Sequence, residues 1–326
     1  MEGASLTTQP RPASAVPGSN PAFEAARAYY EHNETQAEIA ARMGVSRATV
    51  SRLLTDARES GIVRIQVINP DQGGLEDLAA RTAAALGVQR VYLAAGNQSR
   101  ELGRGVNPQA RQALLDMHLV PGDVLLVSSG RTLYEVGRTQ LPPLPGVVVA
   151  PTVGGQAEPE PWYQTNEITR AVAQQLQAHP AFLFAEAKPS PVMFEALQHD
   201  PGFGHIQQLW AGARGALVGI GAPTSTRSSI SPAIPTESEA LRHAVGDVCL
   251  NFFEIDGTPL DFPGHERMIR TPLSVLRDME HCVGIAIGEH KTPSILGAAR
   301  AGIINRLVTD EHTAEAILRA LGEPSA

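Results

Sequence analysis

The sequence is poor in several residue types, and each shortage excludes a class of protein. The chain of 326 residues has two cysteines, Cys249 and Cys282, which excludes a disulfide scaffold and a cysteine-rich zinc site. No apolar run approaches the roughly 20 residues that a membrane-spanning helix needs. The first residues lack the basic and apolar segments of a secretory signal. We therefore expect a cytoplasmic protein with no membrane partner.

Positive charge is also scarce, and it is unevenly distributed. The net charge of −8 argues against a protein that coats nucleic acid. Only two lysines, Lys188 and Lys291, stand beside 24 arginines. Five of these arginines fall within residues 42–64, whereas the excess negative charge lies beyond residue 68. A small, locally basic part therefore precedes a large acidic part, which suggests two partners of different kinds.

Composition and periodicity divide the chain into four segments. Residues 1–20 are rich in Pro, Ser, Thr, Ala and Gly and predict a disordered tail. Residues 21–68 predict three helices and a closing strand over 62–68, and residues 69–74 predict a linker. Residues 75–326 predict one large domain that opens with a helix over 75–86. In this domain strand-like runs alternate with helical stretches, which predicts an α/β fold with a mainly parallel sheet.

The predicted strands of the sheet are short apolar runs, most of them followed by a helical stretch. They are Val91–Ala95, Val124–Val127, Val147–Ala150, Ala181–Phe184, Ala216–Ile220, Val248–Phe253, Val283–Ile287 and Asn305–Val308. In such folds ligands bind at the carboxyl ends of the strands. Residues that follow these runs are therefore the first candidates for a binding site.

Residues 36–53, QAEIAARMGVSRATVSRL, have the spacing of a helix-turn-helix. Gly44 suits the turn between the helices, and Ser46 is the predicted N-cap of the second helix. Ile39, Val45, Val50 and Leu53 are expected to close the small core.

The opposite face of the second helix carries the predicted DNA contacts. Arginine can bind guanine through two hydrogen bonds, and small side chains suit the thymine methyl group. Phosphate contacts are expected from polar side chains and from N–H groups at the helix starts. The predicted DNA-binding residues are Gln36, Ser46, Arg47, Ala48, Thr49, Ser51 and Arg52. The alternative is a helical hairpin that packs on another protein.

Six further segments carry a resemblance to a known family. They are VSRATVSRLLTDARESGIVRIQV (45–67), SSGRTLYEVGR (128–138), PTVGG (151–155), ALVGIGAP (216–223), AVGDVCLNFFEIDG (244–257) and VGIAIGEHKTPSILGAARAGIINRLVTDEHTA (283–314). In order and spacing the chain resembles the SorC-type sugar-binding transcriptional regulators, which include the central glycolytic gene regulator and the Bacillus-type deoxyribonucleoside regulator.

The resemblance implies an N-terminal, winged-helix-like DNA-binding domain and a Rossmann-like domain similar to sugar-phosphate isomerases and deaminases. It also implies a phosphorylated sugar as effector, operator DNA as partner and a homo-oligomer, dimer or tetramer. An enzyme of sugar-phosphate isomerisation or deamination is the alternative, because fold alone does not decide function. The helix-turn-helix favours the regulator, and we expect no catalytic residues.

One loop and one lysine are the main effector-binding candidates. Ser129, Gly130, Arg131 and Thr132 lead from a buried strand into a helix, and N–H groups at a helix start attract anions. Lys291 follows the strand Val283–Ile287 and would contact phosphate or a sugar oxygen. Gly154 and Gly155 end another strand and leave room for a ligand or for a neighbouring loop.

Three further residues complete the predicted effector site. Asn166 begins a helix and either contacts the sugar or caps that helix. Asp247, at the start of the strand Val248–Phe253, faces the sugar hydroxyls according to the resemblance, and otherwise is a turn residue. Arg227 is a candidate second basic contact.

Three absences restrict the effector and its chemistry. A valine, Val153, precedes Gly154 where a basic residue would suit a second phosphate, which favours a monophosphate. No lysine lies near the two glycines, so nothing there indicates an effector bound covalently as a Schiff base. His265, His281 and His290 lack metal-ligand spacing, so we expect neither a metal nor a cofactor.

Overall fold

The computed structural model describes residues 20–63, 72–98, 100, 103–223, 234 and 238–322. The chain forms two compact units, Met1–Pro70 and Asp71–Ala326. The predicted tail lies outside the described residues except for Asn20, which caps the first helix. Most of the strand predicted over 62–68 also lies outside them.

The N-terminal unit contains three helices, α1 (Pro21–Tyr30), α2 (Gln36–Met43) and α3 (Arg47–Glu59). A reciprocal capping box starts α2, since Thr35 Oγ1 accepts a bond from Glu38 N and the Glu38 carboxylate accepts one from Thr35 N. Gly44 ends α2 with a φ of 66°, a conformation that favours glycine. The predicted helix-turn-helix is confirmed.

The core of this unit differs from the prediction in one respect. Ile39 and Val50 are fully buried, but Val45 is 37% exposed. Four alanines of α1 fill the core instead, because small side chains allow helices to approach closely: Ala22, Ala25, Ala26 and Ala28. Phe23 and Tyr30 of the same helix remain exposed.

The C-terminal unit begins with a helix and continues as alternating strands and helices. Its helices are α4 (Gln72–Leu86), α5 (Asn107–Leu115), α6 (Arg131–Val136), α7 (Thr165–Leu176), α8 (Pro191–Gln198), α9 (Pro201–Ala211), α10 (Leu273–Asp278), α11 (Thr292–Arg300) and α12 (Glu311–Ala320). Its strands are β1 (Arg90–Ala94), β2 (Val124–Val127), β3 (Val148–Pro151), β4 (His179–Pro180), β5 (Gly215–Gly221), β6 (Gly246–Val248), β7 (Asn251–Phe253), β8 (His281–Ile285) and β9 (Arg306–Asp310).

Seven strands form a parallel sheet in the order β1-β9-β8-β5-β2-β3-β4. Neighbouring residues of one strand enter two different core clusters: Leu125 belongs to one and Leu126 to the other. The sheet is therefore buried on both faces, as the continuous apolar runs predicted. The α/β fold class is confirmed.

The prediction of a single strand over 248–253 is wrong. The segment is an antiparallel hairpin, β6–β7, that pairs with β5 through Ile220 and Val248. Its two turn residues, Cys249 and Leu250, have φ values of 52° and 60°. A two-residue turn of this kind normally contains Asn or Gly, so its usual sequence signal is missing here. Positive φ at such residues costs about 1–3 kcal/mol, which the surrounding packing must offset.

Two other predicted boundaries also differ from the structure. Helix α4 begins at Gln72, inside the predicted linker, so that Gly73 and Gly74 lie in its first turn. The strand predicted over 181–184 is wrong: the observed strand is His179–Pro180, just before that range, and residues 181–184 have no regular secondary structure. Beyond it, the Asn166 amide bonds both the N–H and the carbonyl of Leu183, each at 3.0 Å, and so replaces a strand partner.

Candidate functional site

Helix α3 has one buried and one exposed face. Val50, Leu54 and Ala57 point into the core. The residues predicted to read DNA bases are all exposed: Arg47, Ala48, Ser51 and Arg52. Neither arginine forms an ion pair with a carboxylate among the described residues. Two uncompensated cations therefore lie on one exposed helix face.

The start of α3 is capped as predicted. Ser46 Oγ accepts a bond of 3.1 Å from Thr49 N and lies 2.9 Å from Thr49 Oγ1. This geometry fixes the first turn, from which the exposed arginine Arg47 projects. Gln36 begins α2 and is half-buried.

In the C-terminal unit, Ser128 connects the end of β2 to β5. Its Oγ accepts a bond of 2.9 Å from Gly219 N, and its own N–H donates to the Leu217 carbonyl. The following loop, Ser129 to Thr132, therefore leaves the carboxyl edge of the sheet from a fixed point. This is the edge at which parallel sheets bind ligands.

One N–H group of the loop, that of Gly130, is not used as predicted. Gly130 has a φ of 121°, and its N–H donates to the Trp162 carbonyl at 2.9 Å, so this N–H is not available to an anion. No side chain caps helix α6, and the N–H groups of Arg131 and Thr132 belong to its uncapped first turn. The Arg131 guanidinium lies over the Trp162 ring, 4.5 Å from its centre.

Gly154 and Gly155 lie beside a neighbouring segment of the chain, and Gly154 is the one that it approaches closely. A Cβ atom on Gly154 would lie 2.7 Å from the Glu186 carbonyl oxygen. Gly155 N donates to the Ala185 carbonyl, and Gly154 N donates to the Ile269 carbonyl. The predicted close approach of another segment is therefore observed at Gly154, whereas a Cβ atom on Gly155 would meet only the Ala185 carbonyl oxygen, at 3.7 Å. Room for a ligand stays a prediction.

Asn166 is committed to the main chain of Leu183 and is the second residue of helix α7, not its cap. The predicted cap role is therefore wrong, whereas the sugar contact stays a prediction, which the second amide N–H and the second lone pair of Oδ1 would still permit.

Asp247 lies within β6 and is buried. Its Oδ2 accepts a bond of 2.9 Å from Leu250 N, which holds the turn of the hairpin. The residue thus serves the turn, one of its two predicted roles, at the carboxyl end of β5.

Lys291 ends a short 3-10 helix, Glu289–Lys291, beyond β8. Its Nζ donates to the Ile220 carbonyl at 2.8 Å. Ile220 follows Gly219, the residue that binds the Ser128 side chain. Two adjacent residues of β5 therefore hold the predicted loop and the predicted lysine at one edge of the sheet.

Sequence reasoning missed Arg270. This half-buried residue forms an antiparallel bridge with Val153, and its Nη1 donates to the Leu250 carbonyl of the hairpin turn. It lines two cavities of about 280 and 270 Å³. The sequence gives only a weak signal, a single arginine within the otherwise uncharged run Met268–Pro272.

Three points remain: one predicted arginine, the possibility of a metal site, and the state of the two cysteines. Arg227 lies outside the described residues. Across the described ranges, no group of three or more His, Cys, Asp or Glu could hold a metal ion. Burial raises the pKa of Cys249 to about 12 and also raises that of Cys282, which makes both thiols poor nucleophiles. Among the described helices, none combines the length and apolarity that crossing a bilayer requires.

Two family comparisons match the two units separately. Residues 71–319 match the family Sugar-bind, described as "Putative sugar-binding domain". Residues 27–60 match region 4 of the sigma-70 factors, a match that covers the helix-turn-helix.

Full-length relatives combine both parts. The sorbitol operon regulator of Klebsiella pneumoniae is 33% identical over 303 residues, which cover 90% of this chain and 96% of the relative. The deoxyribonucleoside regulator of Bacillus subtilis is 29% identical and covers 92% of this chain and 97% of the relative. These relatives are regulators, so the enzyme alternative is not supported.

A solved structure agrees with this result. The crystal structure of the full-length sorbitol operon regulator SorC from Klebsiella pneumoniae aligns with a TM-score of 0.74 and 31% identity, and covers 91% of this chain and 97% of that one. The chain is a DNA-binding transcriptional regulator and belongs to the SorC-type family of sugar-binding regulators.

Proposed function

We propose that a phosphorylated sugar binds at the carboxyl edge of the sheet and controls the binding of helix α3 to operator DNA. The observation that carries this proposal is the pair of adjacent β5 residues, Gly219 and Ile220. Gly219 binds Ser128, from which the Ser129–Thr132 loop departs, and Ile220 binds Lys291. An uncapped helix start and an ammonium group are both suited to an anion. A phosphate bound to both would bridge the loop after β2 and the segment after β8.

The DNA-binding role is assigned to the exposed residues of α3. Arg47 and Arg52 would contact base edges in the major groove, with Ala48 and Ser51 against the neighbouring bases. Ser46, Thr49 and Gln36 would lie near the phosphates. Because one such helix covers only a short site, paired half-sites require a symmetric oligomer. The protein would act in the cytoplasm, where it meets both DNA and phosphorylated sugars.

Exposed apolar side chains support an oligomer, and they occur in both units. Phe23 and Tyr30 lie on α1, whereas Phe184, Val192 and Met193 in the C-terminal unit are 85%, 77% and 56% exposed. Light scattering of the full chain, with and without DNA, should give a dimer or a tetramer. A monomer under both conditions would contradict this part of the proposal.

The effector proposal is tested by titrating operator DNA with and without a sugar phosphate. Binding at the two sites should be coupled by about 1–3 kcal/mol, or about 5- to 150-fold in operator affinity. Thr132→Val and Lys291→Ala should weaken the response to the sugar phosphate. Lys188→Ala is the matched control, because it removes the only other lysine. If both site variants respond like the wild type, the effector binds elsewhere.

A further inference from the structure

The segment around Arg270 continues the path of β2 beside β3. Thr152 N donates to the Val127 carbonyl of β2, and Gly154 N, two residues further, donates to the Ile269 carbonyl. N–H groups two residues apart on an extended chain point to the same side. Arg270 therefore lies beyond the end of β2, where the Ser129–Thr132 loop departs. Two residues of extended chain, at about 3.3 Å each, put it about 7 Å past that end.

The Arg270 guanidinium is positively charged, and no carboxylate of the described residues forms an ion pair with it. No carboxylate among the described residues lies within 4.0 Å of it, and its Nη1 bonds a neutral carbonyl. Burial lowers the pKa of Arg270, while the more distant Asp247 and Asp261 act in the opposite direction. The charged form still dominates at neutral pH, because an arginine begins from a pKa above 12.

A half-buried, charged guanidinium without a carboxylate partner is costly unless an anion binds to it. Arg270 is also the bridge partner of Val153, the position at which the sequence lacks a basic residue. The missing positive charge is thus supplied from a segment more than a hundred residues away in the sequence. Sequence spacing alone could not show this juxtaposition.

We propose that Arg270 binds a second anionic group of the effector. The ligand class is then a sugar with two anionic groups, either a bisphosphate or a phosphorylated sugar acid, and not a simple monophosphate. This inference rests on the proposed effector site, because the first anionic group is the one assigned to the Ser129–Thr132 loop and Lys291. The second group would also reach the hairpin turn, since Arg270 holds the Leu250 carbonyl.

Calorimetry on the full chain with three matched ligand pairs tests this inference. The pairs are fructose 6-phosphate with fructose 1,6-bisphosphate, ribulose 5-phosphate with ribulose 1,5-bisphosphate, and glucose 6-phosphate with 6-phosphogluconate. In at least one pair the doubly anionic ligand should bind about tenfold more tightly or better, as expected for hydrogen bonds to a charged group. The pair that shows this preference distinguishes a bisphosphate from a sugar acid.

Arg270→Gln should bring that affinity ratio close to one, because glutamine is a polar donor but carries no charge. Arg267→Gln is the matched control: Arg267 lies on the same segment and donates to the Pro189 carbonyl, and the ratio should persist in this variant. If Arg270→Gln does not fold, Arg270→Lys replaces it. Lysine keeps the charge without the planar pair of donors, so the ratio should fall but not vanish.

Three results would overturn the inference. A monophosphate that binds as tightly as its doubly anionic partner in every pair would refute it and leave the proposed effector site standing. A preference that survives unchanged in the Arg270 variants would place the second anion elsewhere. Binding of none of the six ligands would contradict the inference and the proposed effector class together.

Discussion

The two units place functional residues in opposite ways. In the N-terminal unit all the candidate contacts except Gln36 lie within the seven residues from Ser46 to Arg52, at the start of one helix. In the C-terminal unit they follow several strands, and hydrogen bonds to residues that are distant in sequence hold them together. One such bond joins Ser128 to Gly219 and another joins Lys291 to Ile220. A local site can be predicted from spacing, whereas an assembled site needs the topology.

Glycine shows the same contrast. Gly44 has open space around it and is needed for its φ of 66°. Gly154 has no positive φ, and is needed because the chain at Glu186 passes 2.7 Å from the position of its missing Cβ. The first requirement follows from a local turn. The second follows from packing between segments that are more than thirty residues apart.

The largest effect is expected on DNA binding, where the local site can be disrupted outright. The double variant Arg47→Ala/Arg52→Ala should lose about 2–6 kcal/mol of specific operator binding, if each arginine contributes about 1–3 kcal/mol and the two contributions add. Ligand binding in the C-terminal unit should not change. Fluorescence anisotropy with operator DNA, and calorimetry with the sugar phosphate, measure the two effects.

Arg27→Ala is the control for a general loss of positive charge. Arg27 lies on α1, a different helix, and pairs with Glu31 at 3.6 Å. Its removal should alter operator affinity only slightly. An operator affinity of the double variant equal to that of Arg27→Ala would show that α3 does not read DNA.

The next effect concerns the packing of the assembled site. Gly154→Ala should destabilise the C-terminal unit by about 1–3 kcal/mol, because the new methyl group would meet main-chain atoms that cannot move aside. Gly204→Ala is the matched control: Gly204 lies within α9, and nothing approaches its missing Cβ within 4 Å. That change should stabilise the unit by up to about 1 kcal/mol. Urea unfolding of both variants gives the comparison, and equal stabilities would contradict it.

The fold was predictable where the signal was local. The periodicity of α3, the Gly44 turn and the buried run Val124–Val127 all appear in the structure as the sequence indicates. The hairpin β6–β7 was not predictable, since its turn residues are Cys249 and Leu250 and not Asn or Gly. In the candidate site, Lys291 and the Ser129–Thr132 loop could be identified from the sequence because each comes just after a predicted strand. Arg270 could not, because its neighbours come from β3 and from the hairpin.

Helix caps offer a smaller, matched test of the two units. Ser46 caps α3, with Thr49 N donating to its Oγ at 3.1 Å, and Ser190 caps α8, with Met193 N donating to its Oγ at 3.3 Å. Ser46→Ala and Ser190→Ala should each cost about 1 kcal/mol of stability. Only Ser46→Ala should also weaken DNA binding, because it loosens the turn that projects Arg47. If both variants bind operator DNA like the wild type, the cap does not contribute to recognition.

The smallest effect is a pH dependence confined to the C-terminal unit. Burial lowers the pKa of His281, and the neighbouring Arg306 acts in the same direction. Because the unfolded chain then binds protons more readily than the folded one, the stability from a neutral His281 is present above pH about 6.5 and is lost as the pH falls below it. Burial lowers the pKa of His290 in the same way. Thermal unfolding between pH about 8 and 5.5, where carboxylates stay ionised, should show this decline, and His281→Gln should reduce its slope. An identical slope in that variant would assign the decline to other groups.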